Sequence, residues 1–232
     1  MSYDLMENNK VYLRGTITKE PEFSHEVFGE GFYELEMAVQ RLSDHNDIIP
    51  ITLSERLLDP KVFAVGNEVT ISGQFRSYNK MVDEKSRLML TVFVREVLEN
   101  DYSVNPNIIE LVGYLCKPPV YRTTPFKREI CDLLLAVNRA YNKSDYLPCI
   151  AWGRNARFIK NANVGQKVFV SGRIQSREYQ KKIDEEQSLT KTAYEISINR
   201  VSLNGSFDYN ETNNGYNNLE SENPVFDIAD KN

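Results

Sequence analysis

The chain repeats itself at an offset of 98 to 99 residues. Asn9, Leu13, Gly15, Lys19 and Pro21 return as Asn107, Leu111, Gly113, Lys117 and Pro119. "MAVQR", ending at Arg41, returns as "LAVNR", ending at Arg139, and Pro50 returns as Pro148. After one inserted residue, Gly66, Gly73 and Ser77 match Gly165, Gly172 and Ser176. Glycines and prolines mark turns and close backbone approaches, so keeping them in register implies one fold used twice. The expected domains are residues 5–102 and 105–204. Residues 205–232, "NGSFDYNETNNGYNNLESENPVFDIADKN" from Asn204 on, are polar and aperiodic. They carry too little apolar surface to fold alone and are expected to form a disordered, acidic tail.

Within each copy the apolar pattern is that of strands. The first copy offers "KVYLRGTI", "FYELEMAVQ", "IIPITLS", "EVTISGQFRSY" and "LMLTVFVREVL". The second offers "IIELVGYL", "ICDLLLAVNRAY", "YLPCIAW", "KVFVSGRIQSREY" and "TAYEISINRVSL". These runs alternate or are continuously apolar, and loops rich in Pro, Asn, Lys and Ser separate them. "NARFIKNAN", ending before Gly165, reads as a short helix between the third and fourth strands. The fold class is therefore mainly all-β. It consists of two tandem five-stranded OB-fold barrels, each with a short helix, a barrel type whose face commonly holds oligonucleotides.

"NIIELVGYLCKPPVYRTT", "LLLAVNRAYNKSDYLPCIAWGRNARF" and "VGQKVFVSGRIQSREYQ" together resemble the bacterial single-stranded DNA-binding protein family, across about 100 residues of the second copy. The first copy resembles it more weakly, through "NKVYLRGTITKEPEF" and "VGNEVTISGQFRS". The resemblance implies four ring positions that stack on bases, and motif register places them at Tyr141, Tyr146, Trp152 and Tyr179. The same positions in the first copy are Ser43, Ile48, Ser54 and Lys80, with no ring among them. Members of the family commonly assemble four barrels, which for this chain implies a homodimer. They also carry a flexible acidic tail whose tip docks replication and repair proteins. The corresponding segment here, "NPVFDIADKN", has its Pro, Phe and Asp residues in a different order, and Phe226, Asp227 and Ile228 are its partner-binding candidates.

The residues themselves point the same way. Side chains alternate across a strand, so Tyr146 and Trp152 share one face of "YLPCIAW" while Leu147, Cys149 and Ala151 share the other. The same rule groups Arg173, Gln175, Arg177 and Tyr179. Rings interleaved with cations suit unpaired nucleic acid, because each base has a flat face to stack and each phosphate a charge to neutralise. Arg122, Arg139, Lys143, Arg154 and Lys181 complete the expected cationic set. The acidic total conceals a strong partition. Residues 105–204 hold 16 Lys and Arg against 9 Asp and Glu, or +7; residues 1–104 hold 11 against 18, or −7; residues 205–232 hold 1 against 6, or −5. Binding of a polyanion is expected in the second domain, leaving the first, with its degenerate face, for assembly or partner docking.

Other function classes find little support. "FGEGFYE" reads as a hairpin turn, because no helix follows to make it a phosphate cradle. No phosphate-loop, zinc-protease or nucleophile-elbow pattern occurs, so no enzyme activity or cofactor is expected. Asp184, Glu185 and Glu186, next to Lys181 and Lys182, read as a solvated turn. His25 and His45 are far from Cys116, Cys131 and Cys149, which contain no CxxC pair, so reduced thiols and no metal are expected. No apolar run approaches membrane-spanning length and the start lacks a signal-like stretch, which makes a cytoplasmic, nucleoid-associated protein with no membrane contact the expectation. The expected ligand is single-stranded DNA. A protein-binding adaptor of a replication-initiation or conjugation complex, or an RNA-binding OB protein, is the alternative.

Overall fold

The computed structural model describes residues 8–41, 43, 45–82, 84–182 and 188–203. Among the described residues eleven strands form one continuous sheet that curls into two barrels. In the first half, β1 (Asn9–Val27), β2 (Glu30–Gln40), β3 (Asn46–Ser54), β4 (Glu68–Val82) and β5 (Lys85–Leu98) run in the order β2-β3-β5-β4-β1. The β1–β2 pairing and the parallel β3–β5 contact, Ile51 opposite Val92, close the ring. In the second half, β6 (Asn107–Leu115), β8 (Glu129–Arg139), β9 (Lys143–Trp152), β10 (Lys167–Lys182) and β11 (Ser188–Leu203) repeat the plan. There the parallel contact places Cys149 opposite Ile196. Both halves are OB-folds.

Alternation produces the cores. Val11, Leu13 and Ile17 point inward from β1, as Ile109 and Leu111 do from β6, while their neighbours remain partly exposed. Cys131 and Cys149 are buried, Cys116 half-buried, and all three are free thiols; burial pushes the Cys131 thiol up to about 11. Each fourth strand carries a glycine at a shift in register with the fifth. A Cβ on Gly73 would lie 2.4 Å from the Phe93 carbonyl oxygen, and one on Gly172 would lie 2.2 Å from that of Ser197. The "FGEG" segment is a hairpin turn, with Phe28 and Gly29 both at positive φ.

The halves differ where prolines differ. β1 passes its single proline, Pro21, at a register shift and continues to Val27, whereas Pro118 and Pro119 in succession remove two N–H groups, and the second half resumes as a separate strand β7 (Val120–Thr123). The helix of the second half, α1 (Gly153–Ile159), begins two residues before the expected segment and stops before Asn161. In the first half that helix is reduced to a 3-10 turn, Glu55–Leu57. Pro60 disfavours helical backbone at Asp59, whose Oδ1 instead accepts the Lys61 N–H at 2.8 Å. The acidic segment 184–186 and the whole tail, Phe226, Asp227 and Ile228 included, lie outside the described residues.

β1 and β6 join the halves antiparallel, with Asn9 opposite Leu111, Val11 opposite Ile109 and Leu13 opposite Asn107. Val11 and Ile109 are repeat equivalents, so the seam is related to itself by a pseudo-twofold axis. The Arg14 N–H donates to the Pro106 carbonyl at 2.8 Å, and its equivalent, the Val112 N–H, to Asn8 at 2.8 Å. Two buried carboxylates reinforce this symmetry. Asp47 Oδ1 accepts the Ser176 N–H at 2.7 Å, and Asp145 Oδ1 accepts the Ser77 N–H at 2.7 Å, each reaching into the other half. Their charge partners are not equal. Asp47 is held by Arg41 at 2.5 Å and Arg173 at 3.1 Å, whereas Asp145 has Arg139 at 3.4 Å, too loose for a hydrogen bond to its Oδ2.

Burial raises the Asp145 carboxyl above its ordinary value, against the pull of Ser77, Arg139 and Arg76. The folded chain therefore takes up this proton at higher pH than the unfolded chain. Its contribution is most favourable below the ordinary carboxylate range and declines as pH rises through the folded value. Urea titrations should show Asp145→Asn abolishing that component, with a cost near neutral pH of about 1 kcal/mol because the Ser77 N–H keeps an acceptor. Asp47→Asn strips the counter-charge from two arginines and is expected to cost more, on the order of 3 kcal/mol. Equal losses from the two substitutions would contradict the asymmetry.

Candidate nucleic-acid interface

The second barrel presents its rings outward. On β9 the inner positions Asp145, Leu147, Cys149 and Ala151 are buried, while Tyr146 is 47% and Trp152 37% exposed. Trp152 ends the strand and α1 follows it directly, so the ring sits where barrel wall meets helix. Tyr179, 39% exposed, lies farther along β10, opposite Lys191 on the arm that β10 and β11 build beyond the closed part of the barrel. Its neighbour Arg177 stands 6.0 Å from the ring centroid. None of the three is sealed in the core.

Tyr141 is placed differently. It and Asn142 occupy the turn joining β8 to β9 with φ of 61° and 54°, a left-handed pair that favours Gly or Asn. Tyr141 is 83% exposed, so no packing offsets that conformation. A strained, solvated ring at a hairpin tip has little structural use, which is a reason to suspect a ligand.

The cations divide into three groups. Arg122 pairs with Asp132 at 2.7 Å, and Arg177 with Glu195 at 3.8 Å, on the outer face of the barrel. Glu195 also accepts from Gln175 Nε2 at 2.7 Å. Arg173 and Arg139 turn instead into the seam, drawn by buried Asp47 and Asp145. Lys143 and Arg154 have no ion pair among the described residues and are exposed. Lys181 belongs to β10, but its side chain lies outside the described residues.

On the first barrel the equivalent positions have other duties. The Ile48 N–H donates to Ser176 Oγ at 3.0 Å, Ser54 hydrogen-bonds Glu30 and accepts the Arg56 N–H, and Lys80 is exposed. Phe75 is wholly buried, and Tyr78 donates to Glu34 at 3.3 Å. Burial beside that carboxylate pushes the Tyr78 phenol up to about 12. Spacing gave no sign of a further group, in which Arg76 lies over the Phe93 ring at 3.8 Å with Arg95 at 5.4 Å. These residues fall at positions where the second half has no ring, so the repeat could not reveal them. Among the described residues no cluster of His, Cys, Asp and Glu could hold a metal, and no helix is long and apolar enough to cross a membrane.

Comparison with known proteins places this geometry in context. The model of the single-strand binding protein family matches residues 106–204. A single-stranded DNA-binding protein of Clostridium tetani is 30% identical over 124 residues, covering 50% of this chain and 83% of that protein. The chain belongs to the single-strand binding protein family. Single-stranded DNA-binding protein 1 of Staphylococcus aureus is 37% identical over 81 residues, a match spanning 32% of this chain and 48% of that protein, about half its length. The wild-type single-stranded DNA binding protein from Thermus aquaticus shares the fold, with a TM-score of 0.62, 20% identity, and coverage of 85% of this chain and 93% of that one. The family match thus falls on the half whose rings point outward, and the shared fold extends across both.

The turn supplies a check that requires no ligand. Tyr141→Asn should stabilise folding by about 0.5–1 kcal/mol in urea titrations, because asparagine tolerates left-handed backbone. A loss of stability would show that the ring serves the fold.

Proposed function

We propose that the chain binds single-stranded DNA with little regard for sequence, coating unpaired strands during replication, recombination or repair. The observation that carries this reading is the outward presentation of Tyr146, Trp152 and Tyr179 from a barrel half with a net charge of +7 in a protein of −5. Bases stack on those rings, with Tyr141 reaching from the hairpin tip. Arg122, Lys143, Arg154, Arg177 and Lys181 track the phosphates. Stacking uses the face that every base has, so binding is tolerant of sequence, and phosphate neutralisation makes it salt-sensitive. The carboxylates paired with Arg122 and Arg177 hold the guanidinium planes ready and yield to phosphate when DNA arrives.

The protein acts by binding rather than catalysis, requires no cofactor, and works in the cytoplasm on the nucleoid. Each chain already pairs two barrels about a pseudo-twofold axis, and two chains together present four. The acidic tail, through Phe226, Asp227 and Ile228, recruits replication or repair proteins. The division of labour follows residues 5–102, 105–204 and 205–232, with base stacking confined to the second.

Trp152 is the chain's single tryptophan and reports directly on the site. Oligo-dT should quench its fluorescence, high salt should release it, and duplex should compete poorly. Tyr146→Ala and Tyr179→Ala should each weaken binding by roughly 1–3 kcal/mol. Unchanged emission, or tighter binding of oligo-U than of oligo-dT, would refute the reading.

A further inference from the structure

A cleft of about 460 Å³ opens on the first barrel against the seam, lined among others by Arg76, Ser77, Tyr78, Lys80, Phe93 and, from the second half, Arg139. Its charge is unbalanced. Arg76, with Arg95 and Arg139 close enough to repel it, is lowered to about 10, chiefly by burial. Arg76 donates to Gln74 Oε1 at 2.9 Å, and its buried Nε has no partner among the described residues. The carboxylates nearby are outnumbered: Asp145 is shared between Arg139, at 3.4 Å, and Arg76, and Glu34 lines the cleft itself. Asp145 accepts from Ser77, and Glu34 accepts from Ser24 Oγ at 2.7 Å and from Tyr78. A half-buried guanidinium left short of counter-charge is costly unless a ligand provides it.

We propose that this cleft binds a phosphodiester of the single strand, held by Arg76, Lys80 and Arg139, so that DNA leaving the ring face of the second barrel crosses the seam onto the first. The inference rests on the single-stranded DNA reading. Continuity between the two surfaces is direct, because the Tyr146 N–H donates to Ser77 Oγ at 2.8 Å and Ser77 lines the cleft. A strand stacked on Tyr146 therefore has its backbone within reach of Arg139 and Arg76. The site is not a copy of the ring face. The repeat equivalent of Arg76 is Gln175, and that of Lys80 is Tyr179. One barrel thus offers stacking where the other offers charge, and the first half joins in binding despite its net −7.

The test uses the full chain, labelled oligo-dT of about 8 and about 30 nucleotides, and salt titrations followed by anisotropy and by Trp152 emission. Arg76→Met keeps an apolar stem against Phe93 and removes the charge; Lys80→Met changes an exposed side chain and decides the matter if Arg76→Met fails to fold. Each should reduce the salt slope on the long oligonucleotide by roughly 0.7, the share of one phosphate on a single strand. The short oligonucleotide and the Trp152 quench at saturation should be unaffected. Slopes equal to wild type on the long oligonucleotide, with Trp152 quenched, would overturn the cleft and leave the ring face standing. Equal weakening on both lengths would also overturn it, as a general loss of charge. Weakening on the long oligonucleotide without any Trp152 quench in wild type would uphold the cleft and reject the ring face.

Discussion

The antiparallel pairing of β1 with β6 is the constraint on which the remaining structure depends. Each OB barrel leaves its first strand with one edge unsatisfied, and an unpaired edge invites association with any other chain. Here the two edges satisfy each other within one polypeptide, with Val11 opposite Ile109 at the centre. Asn9 and Asn107 buttress the same region inside each half. Asn9 exchanges hydrogen bonds with the Phe75 backbone at 2.7 and 2.9 Å, and Asn107 does so with Ile174 at 2.8 and 2.9 Å. Asp47 and Asp145 then lock the halves laterally. A buried carboxylate contributes little net stability unless its lone pairs are filled, but it tolerates few alternative geometries. The seam therefore has one register.

Covalent duplication frees the halves to diverge, because a mutation in one is not imposed on the other. The seam shows how far this has gone. Asp47 retains two guanidiniums while Asp145 retains one, loosely, and the second guanidinium near Asp145, that of Arg76, lies over Phe93 instead. A symmetric homodimer of identical barrels could not hold both arrangements.

Much of the fold could be read from the sequence because its determinants are local. Period-two alternation located ten of the strands, and the repeat offset gave the same plan twice. What escaped depended on proline chemistry or on distance. Pro118 and Pro119 split off β7, and Pro60 left the first half with a 3-10 turn in place of the helix at Gly153–Ile159. The outward direction of Tyr146, Trp152 and Tyr179 was visible from alternation alone. The destination of Arg139 and Arg173 was not. Both read as surface cations by spacing, but each is claimed by a carboxylate buried at the seam, and no local pattern announces a buried aspartate. Arg76 and Phe93 were hidden for a related reason, since they meet across β4 and β5 at positions the second half fills with Gln175 and Ser197.

The charge partition gains meaning from this geometry. A polyanion approaching a molecule of net −5 is steered by the local field, and at ordinary ionic strength charges more than about 10 Å apart are largely screened. The acidic residues of the first half therefore need not repel a strand laid on the second. They limit where it can travel. Glu20, Glu22 and Glu26 line the β1 extension toward the β1–β2 hairpin and make that route unfavourable, whereas the seam presents Arg139, Arg76 and Lys80 in succession. A path bounded by acid on one side and base on the other has a direction. Aromatic stacking alone, indifferent to base identity and to the charge around it, could not supply it.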